Sequence, residues 1–397
     1  MASLERARIG RFTWNALRYG IGPLGGLIVP WIVISHSSVE LWGEVVMLLI
    51  LVQVAAHIIQ WGSKDILLRA YAREPDRVGV LTTSSAATRS LLFGVCIAII
   101  GLLGFGPMQL HVHLVGPWLL AVVAYGSVEA WIIWTKRFAR TFLSDLGGMV
   151  AQVTMLLFLR PLTAELVIGS FLLGTAVRFG LLAATNAGDM PLSNEGRMDF
   201  KRHIVQALPF FLTGFSGLLA SRIDLYSANA LLDRGDVGRY QVVTSVFLQF
   251  QALAALITTP MTRDLYRLRA GGVARFAVRL RTGALIGLLP MAVIAWTLLT
   301  FFFHFELDWT IIAAGCLLVW PVFAYVPLIT PLYKQGHERT VMHANFAAAA
   351  LNGILTWTLM PHVGIAGGML AAAAGQWLML LWVRRQFQRM HHAMPTM

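Results

Sequence analysis

Charge is what this sequence has least of. Only 13% of its 397 residues are Asp, Glu, Lys or Arg, about half the ~25% of an ordinary soluble domain. The 31 Lys and Arg and 19 Asp and Glu cannot clothe a soluble fold of this length, while 57% of the residues are hydrophobic. Mean hydropathy, at +0.69, points the same way. Cysteine is nearly absent too: Cys96 and Cys316 both lie in apolar runs, which excludes a disulfide framework and a Cys-based metal site. No Walker A sequence, Gly-x-Ser-x-Gly elbow or His-Glu-x-x-His motif occurs, so primary ATP-driven transport by this chain is excluded and no enzyme activity is expected. His111-x-His113 and His391-His392 lack acidic or Cys companions, so no metal and no cofactor is expected. What remains is an all-α, polytopic membrane protein.

The long apolar runs fill that class. A bilayer core needs about 20 mostly apolar residues per helix. Runs at 14–35, 41–62, 86–106, 114–134, 141–160 and 163–184 meet this, and a polar stretch from Thr185 to His203 follows. Six more lie at 204–224, 238–260, 281–303, 308–331, 340–360 and 363–383, which makes twelve spans. β-barrel strands are excluded because the runs are twice too long and do not alternate. The Arg-rich residues 1–20 precede no small-residue cleavage site, and Trp31 stands where one would be needed, so the first span is expected to be retained.

The net charge of +12 is read by topology before partners. With the N-terminus cytoplasmic, twenty-five Lys and Arg fall on the inner side, including Lys64, Arg69, Arg73, Arg77 and Arg89 and the Arg263–Arg281 cluster. Only Arg160, Arg222, Arg234 and Arg239 fall outside. That asymmetry predicts a chain with both termini cytoplasmic, and it accounts for the charge without nucleic acid. The 263–281 segment reads as an amphipathic helix on the anionic lipids of the inner leaflet, broken at Gly271-Gly272. Trp14, Trp31, Trp42, Trp61, Trp118, Trp131, Trp134, Trp309, Trp357 and Trp382 fall near span ends as an interfacial belt, whereas Trp296, Trp320 and Trp377 lie deeper as packing residues.

Two halves, 1–190 and 191–397, echo each other. Gly20, Gly22, Pro23, Gly25 and Gly26 mark the first span, and Pro209, Gly214 and Gly217 mark the seventh. Ser63-Lys64-Asp65-Ile66 leaves the second span much as Thr262-Arg263-Asp264-Leu265 leaves the eighth. Paired halves with Gly/Pro-interrupted helices in equivalent places are a transporter signature.

The stretch Asp224 through Gly238-Arg239-Tyr240 resembles the Asp…Gly-x-Tyr pattern of Wzx-type polysaccharide flippases. Thr259-Pro260-Met261-Thr262-Arg263-Asp264-Leu265-Tyr266 is similar to that family's Pro-x-x-(Ser/Arg)-x-x-Tyr ending, and Gly364-Ile365-Ala366-Gly367-Gly368 fits the opening of its last span. The resemblance to this branch of the multidrug/oligosaccharidyl-lipid/polysaccharide exporter superfamily implies two pseudo-repeated six-helix bundles around a central cavity and alternating access. It also implies an oligosaccharide substrate on an undecaprenyl-pyrophosphate carrier, with a polysaccharide polymerase and chain-length regulator as partners.

Candidate site residues are weighed against packing. Gly20-x-Gly22-x-x-Gly25 matches a dinucleotide fingerprint only by accident, since no strand precedes it. Gly22-x-x-x-Gly26 reads as close helix packing, as a bend with Pro23, or as both; Pro209 is the counterpart hinge. Arg18 and Arg178 either snorkel to the interface or hold a pyrophosphate. Glu129 is a coupling site for a proton or cation, or else the ion-pair partner of Arg18 or Arg178. Arg222 joins the substrate-binding candidates; with Asp224 it forms a local ion pair or an outer gate. His57 reads first as a packing residue, and Gln53, Gln249, Gln251 and Asn352 as helix glue before sugar ligands. The deep charges Arg18, Arg178 and Glu129 leave a positive balance suited to an anionic substrate. A drug exporter would instead favour an acidic cavity, and a membrane polymerase or acyltransferase would need a large outer loop or clustered His.

Overall fold

The structure is a computed structural model. It describes residues 2–103, 112–189, 200–267 and 270–393; within these, side chains are described except at 2–13, 15–19, 65, 103, 112, 200–202, 259–260, 262–264, 266–267, 270 and 391–393. All regular structure among the described residues is helical. In chain order the helices are α1 (Ala2–His36), α2 (Val39–Gln60), α3 (Ser63–Arg73), α4 (Val78–Leu103), α5 (Val112–Thr135), α6 (Phe138–Phe158) and α7 (Ala164–Asn186). After them come α8 (Phe200–Leu231), α9 (Arg234–Arg267), α10 (Ala270–Thr297), α11 (Trp309–Lys334), α12 (Glu338–Val363) and α13 (Ile365–Ala393).

Each of the twelve expected spans is present as a helix, and ten helices among the described residues are long and apolar enough to cross a membrane. The ten leave out the 11-residue α3 and two of the expected spans, α1 and α12; α12 carries His343, Asn345 and Asn352 among its alanines. Large apolar side chains stand outermost on the spans: Leu102 is 85% exposed, and Ile286 and Leu289 are each 74% exposed. Such surface is stable only against lipid, so the chain is a multi-pass membrane protein. Polar caps start several helices where the first N–H groups lack partners. Ser38 accepts from Leu41 N at 3.2 Å, and Thr163 from Leu166 N at 3.3 Å.

The chain forms two compact units, Met1–Gly214 and Phe215–Met397. In the first, Leu48, Val52 and Ile59 of α2 pack with Ile100 of α4, Val115 and Leu119 of α5 and Ile168 of α7. A second cluster joins Leu67 and Tyr71 of α3 to Val128 and Ile132 of α5 and Leu182 of α7. In the second unit, Leu265 of α9, Val273 of α10, Leu328 of α11, Val341 and Ala348 of α12 and Val383 of α13 form one core. The contact boundary falls inside α8, beyond the polar stretch at which sequence alone divides the chain.

Two sequence expectations are corrected. The basic 263–281 segment is not a separate surface helix broken at Gly271-Gly272. α9 runs on to Arg267, and both glycines lie inside α10, whose first turns carry Arg275, Arg279 and Arg281. The tryptophan belt is also thinner than expected. Trp42, Trp118 and Trp131 are at most 6% exposed and belong to the core, whereas Trp309 and Trp357 stay outside.

Candidate functional site

In the first unit the chain turns sharply after α2. Trp61 (φ +45°) and Gly62 (φ +62°) are both left-handed, and the second must be glycine for a steric reason as well. A Cβ there would meet Phe211 N at 2.6 Å and Phe210 Cβ at 2.8 Å. The turn lets the corner grip α8. The Trp61 indole donates to Ile204 O at 3.1 Å and stacks on Phe211 with ring centroids 4.1 Å apart. Ser63 Oγ lies 3.2 Å from His203 Nε2, and the Arg69 guanidinium sits 5.0 Å from the Phe210 ring centroid.

Beyond the corner, Lys64 Nζ reaches Glu129 Oε1 on α5 at 2.9 Å. Glu129 is therefore paired, but with Lys64 and not with Arg178. Arg89 shares this neighbourhood. Sequence reading counts it among loop cations, yet α4 begins at Val78, well before residue 86, and carries Arg89 inward to 1% exposure. Among the described residues its Nε and Nη1 have no hydrogen-bond partner, and Glu129 is the acid within electrostatic reach. Burying a cation is costly unless it is fully paired, and among the described residues two cations here share one carboxylate, a local positive excess.

Arg178 is placed by the α6–α7 contact. Gly148 and Gly174 face each other there, and a Cβ on Gly174 would meet Gly148 O at 3.0 Å. That approach sets Arg178 Nε 3.2 Å from Asp145 Oδ1, with the guanidinium 5.3 Å from the Tyr125 ring centroid. The Tyr125 hydroxyl donates to the same Asp145 oxygen at 2.9 Å. Arg178 is thus an anchored ion-pair member, not a snorkelling side chain. Sequence reading passed over Asp145 because it lies near the end of a span, where a charge attracts no notice.

The second unit holds a different centre. Asp224 on α8 is 5% exposed and Tyr240 on α9 is fully buried. The Tyr240 hydroxyl donates to Asp224 Oδ2. Asn352 on α12 donates to the other oxygen at 3.5 Å, and Thr356 donates to Asn352 Oδ1 at 3.2 Å. Gly368 on α13 makes room, since a Cβ there would meet Tyr240 Cε2 at 2.8 Å. A cavity of about 10 Å³ touches Asp224, Thr244, Asn352 and Gln376, the room of about one water molecule. The two ends of the Asp…Gly-x-Tyr motif therefore bond to each other. Asn352, read as helix glue, is a ligand of the carboxylate. Arg222 is half-buried on α8 and forms no direct ion pair with Asp224 among the described residues, which corrects the local-pair reading.

The remaining candidates are scattered. Arg18 lies on α1 with its side chain outside the described residues, as do most side chains of the 259–266 motif. Gly22 is exposed with open space where a Cβ would go, so it makes no close helix contact, and a Cβ on Gly25 would only reach ordinary contact with Met149 Sδ, 4.0 Å away. Pro23 and Gly26 are half-buried within an unbroken α1, and Pro209 is exposed on α8. His57 packs on Phe211, with Nε2 3.5 Å from Phe211 O. Gln53 is exposed and Gln249 half-buried, whereas Gln251 donates to Leu318 O at 2.9 Å and does bind helices together.

No protein-family model matches this sequence, and no curated protein sequence does. Solved structures do match in fold. A structure described as lipid II flippase MurJ in an inward closed conformation aligns with a TM-score of 0.75 at 11% identity, covering 94% of this chain and 86% of that one. A MATE protein in a bent conformation aligns at 0.62 and 13% identity, covering 98% of this chain and 96% of that one. An inward-facing multidrug resistance MATE family transporter of the MOP superfamily aligns at 0.59 and 13% identity, over 97% and 96% of the two chains. The chain has the fold these transporters share.

Proposed function

We propose that this protein is a flippase that carries an undecaprenyl-pyrophosphate-linked oligosaccharide across the bacterial inner membrane by alternating access, in surface-polysaccharide (lipopolysaccharide/O-antigen or exopolysaccharide) synthesis. The observation that carries the reading is the pair of cations in the first unit, partly exposed Lys64 and buried Arg89, that share Glu129, in a fold common to a lipid II flippase. A fixed positive excess in low dielectric attracts a diphosphate far more than it would in water. Arg178, held by Asp145, and Arg18 and Arg222 are the further substrate-binding candidates, and Gly22, Pro23, Gly26 and Pro209 the hinge candidates. Glu129 and Asp224 are the coupling candidates, because each is a carboxylate in a spanning helix with a partner it can release. A polysaccharide polymerase and chain-length regulator are the proposed partners, and anionic inner-leaflet lipids the proposed contacts of Arg275, Arg279 and Arg281.

The deciding experiment is deletion of the gene, followed by extraction of lipid-linked oligosaccharide. Accumulation on the cytoplasmic side, reversed by the wild-type chain, is the expected result; unaltered levels overturn the reading. Reporter fusions in the 190–199 stretch should report cytoplasm, and fusions at Ser37–Ser38 the outside. The second reading, a multidrug exporter, draws on the MATE likeness and on Asp224, since a buried acid suits a cationic drug. Drug sensitivity without lipid accumulation in the deletion strain would favour it.

A further inference from the structure

A larger cavity than the one beside Asp224 lies behind the α2–α3 corner of the first unit. It has a volume of about 380 Å³, opens to one side, and is lined by α3, the short turn after it, α4 and the start of α8. That volume falls within the range of small-ligand pockets. Three of its lining residues are arginines: Arg69, Arg73 and Arg77. His203 and Gln206 of α8 add ring and amide groups, and the Phe210 ring forms part of an apolar wall.

The arginines are presented by design of the helix. Leu67 and Tyr71 of α3 are buried, which turns Arg69 and Arg73, one helical turn apart, outward on the opposite face. Like charges at that spacing repel, so the arrangement favours an anion between them. Arg69 is held in place over Phe210. Arg77 is partly neutralised by Glu74, 2.8 Å away. Arg73 has no ion-pair or hydrogen-bond partner among the described residues. Behind the pocket, Arg89 lies within electrostatic reach of His203 and keeps two donor nitrogens unbonded. Guanidinium forks match phosphate oxygens two at a time.

We propose that this pocket is a binding site for a diphosphate group, with Arg69 and Arg73 as its principal ligands and the Phe210 wall accepting the first carbons attached to it. Arg178 is not among the residues that line it. Its diphosphate chemistry stands on the pocket alone; a lipid source for the group rests on the flippase reading. The bland alternative is a set of surface cations attracted loosely to any anionic membrane. That alternative predicts no saturation by a soluble anion and no preference among the arginines.

The test is isothermal titration of the purified full chain in neutral detergent with inorganic pyrophosphate and, separately, farnesyl diphosphate. One-site saturable binding is expected. Arg69→Gln and Arg73→Gln should each weaken it by about tenfold, with Arg73→Lys retaining part. Glu74→Gln removes the carboxylate that competes for Arg77 and should tighten binding by about threefold, a gain that misfolding cannot mimic. Tighter binding of farnesyl diphosphate than of pyrophosphate assigns the site to a lipid headgroup; equal or weaker binding assigns it to a free diphosphate. Absence of saturable binding, or binding unchanged in an Arg69→Gln/Arg73→Gln double variant that elutes like wild type, overturns the proposal. A deletion strain with normal lipid-linked oligosaccharide would remove the flippase reading and leave this titration untouched.

Discussion

The same step in the two halves has two outcomes. After the second span, Trp61 and Gly62 adopt left-handed conformations and Ser63-Lys64 starts a new helix packed on α5. At the counterpart step, Thr262-Arg263-Asp264, α9 continues without a break to Arg267. The charges diverge in parallel. Buried or half-buried cations of the first unit meet carboxylates across helices, Lys64 with Glu129 and Arg178 with Asp145. The buried carboxylate of the second, Asp224, is held by a phenol and an amide. The first unit thus sets its cations against carboxylates, whereas the second holds its buried carboxylate with neutral donors.

The largest expected effect breaks that contrast at its origin. Gly62→Leu places a side chain on Phe211 N and forces a left-handed residue to carry a Cβ, so it should cost about 3 kcal/mol or more. Met261→Leu, at the equivalent place in an unbroken helix, should cost less than about 1 kcal/mol. Thermal unfolding of both variants in detergent checks this, and equal losses would mean that the corner does not hold α8.

Asp224 comes next. Asp224→Ala strands the Tyr240 hydroxyl and the Asn352 amide in a buried site and should destabilise by about 2–3 kcal/mol. Asp224→Asn keeps one acceptor oxygen, and its NH2 can donate to the Tyr240 oxygen instead, so it should cost less than the alanine, about 1 kcal/mol, while losing transport in a complementation assay. Wild-type transport by Asp224→Asn would confine the residue to a packing role.

The helices and the resemblance motif were legible because apolar length and small local patterns carry them. Asp224 to Tyr240 even encloses a real hydrogen bond. The pairings were not legible. Nothing in the spacing of Lys64, Arg89, Asp145 or Glu129 says which helices meet, and Arg89 read as a loop residue because polar Thr82, Thr83, Ser84 and Ser85 hide the start of α4. The Gly62 corner was missed for a related reason. Its cue, a glycine before a polar run, looks like any helix end until α8 is known to press on it.

A double-mutant cycle on Arg178 and Asp145 sharpens the account of the first unit. Arg178 is 34% exposed and Asp145 9% exposed, so solvent screens the pair and a coupling of about 1 kcal/mol is expected. Arg178→Ala should nevertheless abolish most surface-polysaccharide complementation if the guanidinium serves substrate, with Arg178→Lys retaining part. Coupling without any loss of export would leave Arg178 purely structural.

The smallest effect compares one exposed carboxylate from each unit. Arg137 donates to Asp189 Oδ2 at 2.6 Å, and this bond and charge hold the Asp189 carboxyl below its usual range. Asp308 is also held low, by accepting the Thr310 N–H at the start of α11. A carboxyl whose folded pKa lies below its unfolded value of about 3.9 contributes stability above that value. It loses the contribution as pH falls through the depressed folded pKa. Both contributions should therefore be intact at neutral pH and vanish in acid. Salt separates them, because the Asp189 pair is a solvent-screened ion pair, whereas the Asp308 cap is a directed hydrogen bond to the backbone. In molar salt the melting difference between wild type and Asp189→Asn should shrink towards zero, while that for Asp308→Ala should persist. If both shrink alike, the two units do not differ in how they hold their surface carboxylates, and the contrast stops at the buried sites.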